Sequence, residues 1–380
     1  MAGLAPLEQS RVAAFENACW DFPASRNSRE LHPYPARFIP EIPGQALDVL
    51  GVRGPVLDPF CGSGTTLGEA QSRGLSATGV DLNPIACLIS RVRTQPWQRG
   101  HSGRGLRHAR MLRTHALEGA DTEALRDQIP RLDHWFSQTA QEALAGAVSY
   151  LREVEEEWHD RVAVSISASV VRLSRQESDT RYAAVDNSVT REQAANELSQ
   201  SVVRTCEWLA RRTQARPSVP VDVACGDARD LSHLPPDHFA AAIFSPPYPN
   251  AYEYWLYHKY RMYWLGFDPV LVRAAELGAR PHYCKPNGLT EQDFASQMAE
   301  VFEGLARCLM PQAPVVVVIG DSVIGGRLID NGQLLVDAAS SRGYRLDAWQ
   351  QRRIRQARSS FNRAHSRGRT HEHVLLFRPS

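Results

Sequence analysis

Short apolar runs recur along this chain, and each of them stops at an acid, a glycine or a proline. The first two are "GPVLDPF" at 54–60 and "SATGVDL" at 76–82. Later runs are "VPVDVACGDA", "HFAAAIFSPPY", "APVVVVIGDS" and the terminal "HEHVLLFRP". Because apolar and β-branched runs bounded by turn residues are typical of strands, these runs predict a buried sheet.

Helical periodicity fills the stretches between the runs. In "TAQEALAGAVSYLREVEEEW", apolar residues such as Ala140, Leu144, Ala147, Leu151 and Trp158 recur every three or four positions. Strands that alternate with helices predict an α/β fold with a doubly wound, mostly parallel sheet. We expect the first half of this sheet in 1–94, a mostly helical insertion in 95–217, and the second half in 218–380 with a basic C-terminal loop.

Charge and cysteine content narrow the class of protein. The formal net charge of the 380 residues is +1, so any contact with nucleic acid requires a local basic patch. The seven cysteines form no C-x-x-C pair, and His32, His365, His371 and His373 lack ligand partners at metal-site spacing. We therefore expect no disulfide framework and no metal. Without a signal peptide or a long apolar run, we expect a soluble cytoplasmic protein that does not enter a membrane.

Candidate ligand-binding residues lie where the predicted strands end. In "DPFCGSGTT" at 58–66, Gly62 and Gly64 permit positive φ and a close approach of the backbone to a ligand. Asp81 and Asp227 end later strands, although an acid there is also common as a turn or capping residue. The chain has neither a P-loop pattern nor the dinucleotide pattern at this turn, which disfavours a phosphate-cradling nucleotide site.

With the tetrapeptide "SPPY" at 245–248, these motifs resemble the S-adenosylmethionine-dependent DNA amino-methyltransferases, the N4-cytosine and N6-adenine group. The resemblance covers most of the chain outside the helical insertion. It implies a Rossmann-like, seven-stranded methyltransferase sheet. The stretch "LHPYPARFIPEIP" also resembles the N-terminal cofactor motif of this family, in which Phe38 and Pro40 would line the methionine side.

The resemblance implies S-adenosylmethionine as the cofactor and assigns residues to it. The loop 60–64 would wrap the methionine part, Asp81 would hold the ribose and Asp227 the adenine, while Cys61 would be a small wall residue. The expected cofactor-binding residues are Phe38, Asp58, Phe60, Cys61, Gly62, Gly64, Thr65, Asp81, Leu82 and Asp227.

The tetrapeptide itself resembles the catalytic motif of the family, in which Asp, Asn or Ser precedes two prolines and an aromatic residue. An exocyclic base amine is a poor nucleophile because its lone pair is delocalised into the ring. The Ser245 hydroxyl and the Pro246 carbonyl would each accept one N–H of this amine, Pro247 would stiffen the turn, and Tyr248 would stack on the base. The resemblance thus implies direct in-line transfer without a covalent intermediate.

A serine at the first motif position is usual in the N4-cytosine branch. The resemblance therefore implies a site-specific methyltransferase for double-stranded DNA, acting in epigenetic marking or in restriction–modification beside a cognate restriction endonuclease. Adenine N6 stays open because hydrogen bonding needs only an acceptor, and an RNA base amino-methyltransferase is a further alternative. Methylation at carbon 5 of cytosine needs a thiolate, and no cysteine stands in this loop.

DNA contacts are expected from arginines, which bind phosphate, and from an aromatic wall for a flipped base. The aromatic stretch "PNAYEYWLYHKYRMYWLGF" follows the motif, although an amphipathic helix would bury most of its rings. The helical insertion is the candidate for target recognition, and a solvated basic loop is the alternative reading of the C-terminal cluster. The expected DNA-contacting arginines are Arg172, Arg175, Arg181, Arg355, Arg358, Arg363 and Arg367.

Overall fold

The computed structural model describes residues 6–22, 30–179, 181–213, 219–250, 252–284, 287–353 and 371–380. The strands are β1 Val56–Asp58, β2 Ala77–Asp81, β3 Gln176–Ser178, β4 Arg181–Ala184, β5 Val221–Cys225, β6 Ala241–Phe244, β7 Val315–Gly320, β8 Ser322–Ile324, β9 Arg327–Ile329, β10 Tyr344–Arg353 and β11 His371–Pro379.

The helices of the first half and of the central region are α1 Pro6–Asn17, α2 Glu41–Val49, α3 Thr65–Ser72, α4 Pro84–Thr94, α5 His101–Glu118, α6 Leu125–Gln128, α7 Leu132–Trp135, α8 Gln138–Tyr150, α9 Glu156–Val170 and α10 Arg191–Thr213. Those of the second half are α11 Tyr254–Trp264, α12 Pro269–Ala275, α13 Arg280–Tyr283, α14 Glu291–Cys308 and α15 Asn331–Ser340.

Seven of the strands form one sheet in the order β10-β11-β7-β6-β1-β2-β5. All neighbours from β7 to β5 pair in parallel, whereas β11 is antiparallel to both β7 and β10. The sheet thus confirms the predicted α/β, doubly wound and mostly parallel fold. It also places the carboxyl ends of β1, β2, β5, β6 and β7 along one edge, where ligands of such sheets bind.

Both faces of the sheet are covered, which explains why its central strands are apolar runs without alternation. In β7, every residue from Val315 to Gly320 is buried. One core packs α14 and α15 against the sheet through residues such as Phe302 and Leu335. The opposite core packs α2 and α3 against the other face through Ile42 and Leu67.

The region between β2 and β5 is mostly helical and has a hydrophobic core distinct from the two cores of the sheet. Trp158, Val162 and Leu198 belong to this core, as do Tyr260 and Trp264 of α11, so α11 joins the region to the rest of the molecule. The periodic stretch around Leu144 is two helices rather than one, because the chain turns between α8 and α9. The β3–β4 hairpin was not predicted.

Strand β10 is the main element of the sheet that the sequence did not predict. Its segment "YRLDAWQQRR" has no apolar run that would indicate a strand, but it pairs with β11 from Tyr344 to Arg353. Arg345 forms an ion pair with Asp347, and Arg352 forms one with Glu372. These arginines therefore satisfy acids of the same sheet. Among the described residues, no helix is both long and apolar enough to cross a membrane.

Candidate active site

A cavity of about 320 Å³ opens at the edge where the parallel strands end. It collects nearly every side chain that the motifs singled out, from four separate strand ends and from the segment before β1. The predicted residues that line it are Phe38, Asp58, Phe60, Cys61, Gly62, Thr65, Asp81, Leu82, Asp227, Ser245, Pro246, Pro247 and Tyr248. Pro40 and Gly64 do not line it. Gly64 instead begins α3 with φ +76°, and a Cβ there would lie 2.8 Å from the Ser90 hydroxyl oxygen.

The loop after β1 is fixed by hydrogen bonds to its neighbours. Gly62 has φ +50°, its N–H donates to Asp81 Oδ2 at 2.8 Å, and its carbonyl accepts from Ser90 Oγ at 2.8 Å. A Cβ at Gly62 would lie 3.2 Å from the Tyr34 hydroxyl oxygen, so a side chain would narrow the cavity. The position therefore needs glycine for both conformation and space.

Two acids beside this loop are buried carboxyls. Asp81 also accepts the N–H of Asn83 at 2.8 Å, and burial raises its pKa to about 6 despite the two backbone donors. Asp58 accepts the N–H of Phe60 at 3.0 Å, and burial raises its pKa to about 7. Burial raises the pKa of the Cys61 thiol as well, so Cys61 is a neutral wall residue here.

Asp227 lies two residues after β5, and its carboxylate forms an ion pair with Arg229. The Arg229 side chain donates to both of its carboxylate oxygens, with Nε 2.9 Å from Oδ1 and Nη2 2.5 Å from Oδ2. Arg229 also donates to the Ala275 carbonyl at 3.1 Å, which ties this pair to α12. A ligand group that approaches Asp227 therefore meets a carboxylate whose geometry is set.

The "SPPY" turn follows directly on β6, whose last residue, Phe244, pairs with Val317 of β7. The Tyr248 hydroxyl donates to Glu372 Oε1 at 3.0 Å, and Glu372 is also paired with Arg352 at 2.5 Å. Gly320 lies against the ring: a Cβ there would be 3.0 Å from Tyr248 Cε2. The Tyr248 ring is therefore held at its edge by Gly320 and through its hydroxyl by Glu372.

The segment after α12 holds the other side of the turn. The buried Glu276 carboxylate accepts the N–H groups of Tyr254 and Trp255 at 2.9 and 2.7 Å, and burial raises the pKa of Glu276 to about 8. The Gly278 carbonyl accepts the Asn250 N–H at 2.9 Å, and Gly278 itself has φ +71°.

Several cavity residues were not identified from the sequence. They are Tyr34, Ala36, Arg37, Pro59, Ser63, Asn83, Ala228, Val272, Ala275, Glu276, Leu277, Gly320, Asp321 and Glu372. Their only sequence signals were proximity to a motif, as for Tyr34 and Arg37, or a position at a strand end, as for Asp321. Of the aromatic stretch, Tyr252 and Tyr254 line the cavity, whereas Trp255, Tyr260 and Trp264 are buried.

Asp321, Asp330 and His373 form a group whose ligand atoms lie within 4.8 Å of one another. The Trp349 indole N–H donates to His373 Nδ1 at 3.1 Å, so in the neutral ring Nε2 carries the proton. This Nε2 lies 2.9 Å from Asp321 Oδ1. Both ring nitrogens thus already have partners, and His373 holds the carboxylate of Asp321, the member of the group that lines the cavity.

Of the predicted DNA-contacting arginines of the insertion, Arg172 and Arg175 have described side chains, and neither lines the cavity. Arg172 pairs with Glu197 at 2.9 Å, and Arg175 donates to the Asp133 carbonyl at 3.1 Å. Arg181 lies on β4, and its side chain is outside the described part of the structure. Arg355, Arg358, Arg363 and Arg367 lie outside the described residues, so their role stays a prediction.

Comparison with known proteins gives short matches to two curated methyltransferases. The chain is 38% identical over 68 residues to the type II methyltransferase M.MjaII of Methanocaldococcus jannaschii, and this match covers 18% of the chain and 13% of the relative. It is 36% identical over 78 residues to the type II methyltransferase M.MvaI of Kocuria varians, covering 18% and 17%. The chain thus spans less than a fifth of the length of either relative.

No family model matches the chain. Among solved structures, it is similar to a SAM-dependent methyltransferase from Methanosarcina mazei, at 10% identity with a TM-score of 0.34, over 86% of this chain and 92% of that one. The resemblance that the motifs predicted is confirmed by the two curated relatives: over the matched segment, the chain is similar to type II methyltransferases.

Proposed function

We propose that the protein transfers the methyl group of S-adenosylmethionine to an exocyclic base amine in double-stranded DNA, the N4 amine of cytosine. The observation that supports this most directly is that one cavity joins the Gly62 loop and Asp81 to the "SPPY" turn. These elements follow different strands, so their order along the chain does not by itself bring them into one cavity.

The residues present fit this cofactor. Six carboxyl groups line the cavity, and the arginine among the lining residues is Arg37; the acids are Asp58, Asp81, Asp227, Glu276, Asp321 and Glu372. Asp227 and Glu372 are already paired with Arg229 and Arg352, and the other four carboxyls offer oxygen acceptors to a ligand that carries a sulfonium and an ammonium charge. Gly62 leaves the space that a Cβ would fill, and Asp81 offers a carboxylate to a ribose diol. Arg37, which forms an ion pair with Glu30, is the lining cation that would face the methionine carboxylate.

S-adenosylmethionine, when bound, supplies an electrophilic methyl group; the rest of the reaction is positioning by the chain. Ser245 and Pro246 would accept the two N–H groups of the target amine, which directs its lone pair away from the turn and toward the methyl carbon. Tyr248, fixed by Glu372, would receive the base ring. Methyl transfer would form the N–C bond and break the S–C bond, and one amine proton would leave to water, so that the products are the methylated amine and a neutral thioether.

Cytosine N4 is preferred because the first motif residue is Ser245. The similarity to two type II methyltransferases supports methyl transfer, and the motif resemblance supports DNA as the substrate. A cognate restriction endonuclease as partner and a cytoplasmic location belong to the same proposal.

The test is to express the chain in a host without DNA methylation and to sequence its genomic DNA for modified bases. We expect N4-methylcytosine in one sequence context, and none from a Ser245→Ala variant produced at the same level. Detection of N6-methyladenine instead would show that the target base is adenine and not cytosine. Unmodified DNA together with methylated host RNA would replace the DNA assignment by the RNA alternative.

The same variant tests the mechanism in vitro. Removing the Ser245 hydroxyl should lower turnover by about 100-fold, in line with the loss of one fixed polar contact in a transition state. Binding of S-adenosylmethionine, measured by calorimetry, should stay unchanged. Turnover equal to that of the wild type would contradict the assigned role of Ser245.

A further inference from the structure

An exposed apolar patch lies beside the cavity. Of the seven large apolar side chains that are exposed among the described residues, three fall within five consecutive positions: Phe267 at 37%, Val270 at 58% and Leu271 at 70% exposure. Single exposed apolar residues are ordinary on protein surfaces, but a contiguous group indicates a contact site. We call these three residues the rim patch.

Helix geometry places Leu271 at the edge of the cavity. Leu271 and Ala275 are four positions apart on α12, so they lie on the same helix face, one turn from each other. Ala275 and the neighbouring Val272 line the cavity. The face that forms the cavity wall therefore continues outward into the side chain of Leu271.

Cations lie near the rim patch in the chain. The Arg273 guanidinium lies 5.0 Å from the Trp255 ring centroid. Burial raises the pKa of Glu253 and the charges of Arg280 and Arg273 act against burial to lower it, but no ion pair within 4.0 Å joins either arginine to an acid among the described residues. The pKa of Lys259 is lowered by burial first and then by the positive charges of Arg131 and Arg273, which shows that these cations are close together. Asp268, the acid within the stretch, caps α12 by accepting the Val270 N–H at 2.7 Å.

We propose that the rim patch is a DNA wedge: Leu271 enters the base stack at the place that the target base leaves, while Arg273 and Arg280 bind the flanking phosphates. This inference rests on the proposed function. An apolar centre with a basic rim fits a polyanion whose bases expose apolar faces once they unstack. The wedge lies beside the cavity that takes the flipped base, and flipping from a duplex costs unpairing and unstacking.

The test compares two duplexes that carry the methylated sequence found in vivo. In one duplex the target base is paired, and in the other it lies opposite an abasic site, so that less unpairing is needed. We expect Leu271→Ala to lower kcat/KM by about tenfold on the paired duplex and by less than about twofold on the abasic duplex. Leu271→Met, which keeps an apolar side chain of similar reach, should restore activity on the paired duplex.

Met310→Ala is the matched control, because Met310 is 37% exposed but lies before β7, at the opposite edge of the sheet. It should leave both activities unchanged. Equal losses on the two duplexes, or none, would overturn the wedge while leaving the methyltransferase intact. A change of oligomeric state in Leu271→Ala, measured by light scattering, would make the patch a protein interface instead. If the wild type methylates neither duplex, the proposed function itself fails.

Discussion

At the scale of single residues, Gly62 shows how tightly the residues of the cavity wall pack against one another. Its φ is +50°, and a Cβ added there would lie 3.2 Å from the Tyr34 hydroxyl oxygen, so a side chain would be strained and would press on Tyr34. We expect Gly62→Ala to weaken S-adenosylmethionine binding by at least about tenfold, since the methyl strains the loop and reduces the space for the ligand. Calorimetric titration measures this loss.

Gly103→Ala is the control for this substitution. Gly103 lies within α5, and an added Cβ would have no neighbour within 4 Å. Its replacement should leave the affinity unchanged and raise helix stability slightly. If Gly62→Ala bound S-adenosylmethionine as tightly as this control does, Gly62 would not be part of the binding site.

Asp81 gives a prediction on pH. Because burial raises its pKa to about 6, the carboxyl is mostly protonated at pH 5 and mostly ionised at pH 7.5. The ionised form is the better acceptor for ribose hydroxyls, so the affinity for S-adenosylmethionine should rise as pH increases through about 6. Titrations across this range should show the rise in the wild type and a flatter profile in Asp81→Asn. The same slope in both proteins would assign the titration to another group.

Cavity residues that belong to a sequence motif could be predicted, whereas those that reach the cavity through tertiary packing could not. Asp81 and Ser245 were predicted because each stands directly after an apolar run, where the chain itself marks the strand end. Glu276 and Glu372 reach the cavity through long-range packing: Glu372 faces Tyr248 because β11 pairs with β7. No local pattern encodes such a contact.

At the scale of elements, the segment after α12 is the wall that holds the "SPPY" turn. A Cβ on Gly278 would lie 3.0 Å from the Tyr248 carbonyl oxygen and 3.1 Å from that of Pro247. We expect Gly278→Ala to lose about 1–2 kcal/mol of stability through its positive φ, and to lower turnover because the turn shifts. Denaturant unfolding and single-turnover kinetics measure the two effects.

Gly266→Ala separates backbone strain from this contact. Gly266 also has positive φ, +78°, but nothing lies within 4 Å of an added Cβ. It should cost a similar free energy of unfolding without an effect on turnover. Loss of turnover in both variants would mean that strain alone, and not the contact with the turn, controls activity.

Strand β10 shows why an element can escape prediction. The buried residues of this strand are Tyr344, Ala348 and Arg352, and polar residues such as Arg345, Asp347 and two glutamines lie between them. A buried arginine paired with Glu372 breaks the apolar alternation that would indicate a strand. The break between α8 and α9 was not predicted because the helical spacing of apolar residues continues across the turn that separates them.

At the scale of the whole molecule, buried carboxyls make stability depend on pH. The pKa of Asp58 rises from 3.8 to about 7 through burial, so folding favours its protonated form. The stabilisation is complete below the ordinary pKa and is lost as pH rises through about 7. Relative to Asp58→Asn, the wild type should therefore lose about 1 kcal/mol or more of unfolding free energy between pH 5 and pH 7.5.

The comparison with the variant is needed because other groups act in the opposite direction. Burial lowers the pKa of His32 and His258, so both favour folding as pH rises toward 6.5. Denaturant unfolding of both proteins across the range isolates the contribution of Asp58. A constant difference between them would show that Asp58 titrates normally in the folded state.

The fold class followed from alternating strands and helices, but the sheet order did not. That order requires β11 to insert between β7 and β10, which depends on packing across the whole chain. The helical region between β2 and β5 was predicted from composition and periodicity, whereas its attachment through α11 was not. Arg261 of α11 is buried there and donates to the Ser167 carbonyl at 3.1 Å.

The pair of Asp227 and Arg229 limits how strongly a ligand can bind to this carboxylate. Any amino group that hydrogen bonds to Asp227 must share the carboxylate with an arginine that already contacts both oxygens. When the ligand leaves, the carboxylate is not stranded without a partner, because Arg229 still neutralises it. The empty state is thereby stabilised, so a ligand gains less free energy from Asp227 than it would from a carboxylate without an arginine partner.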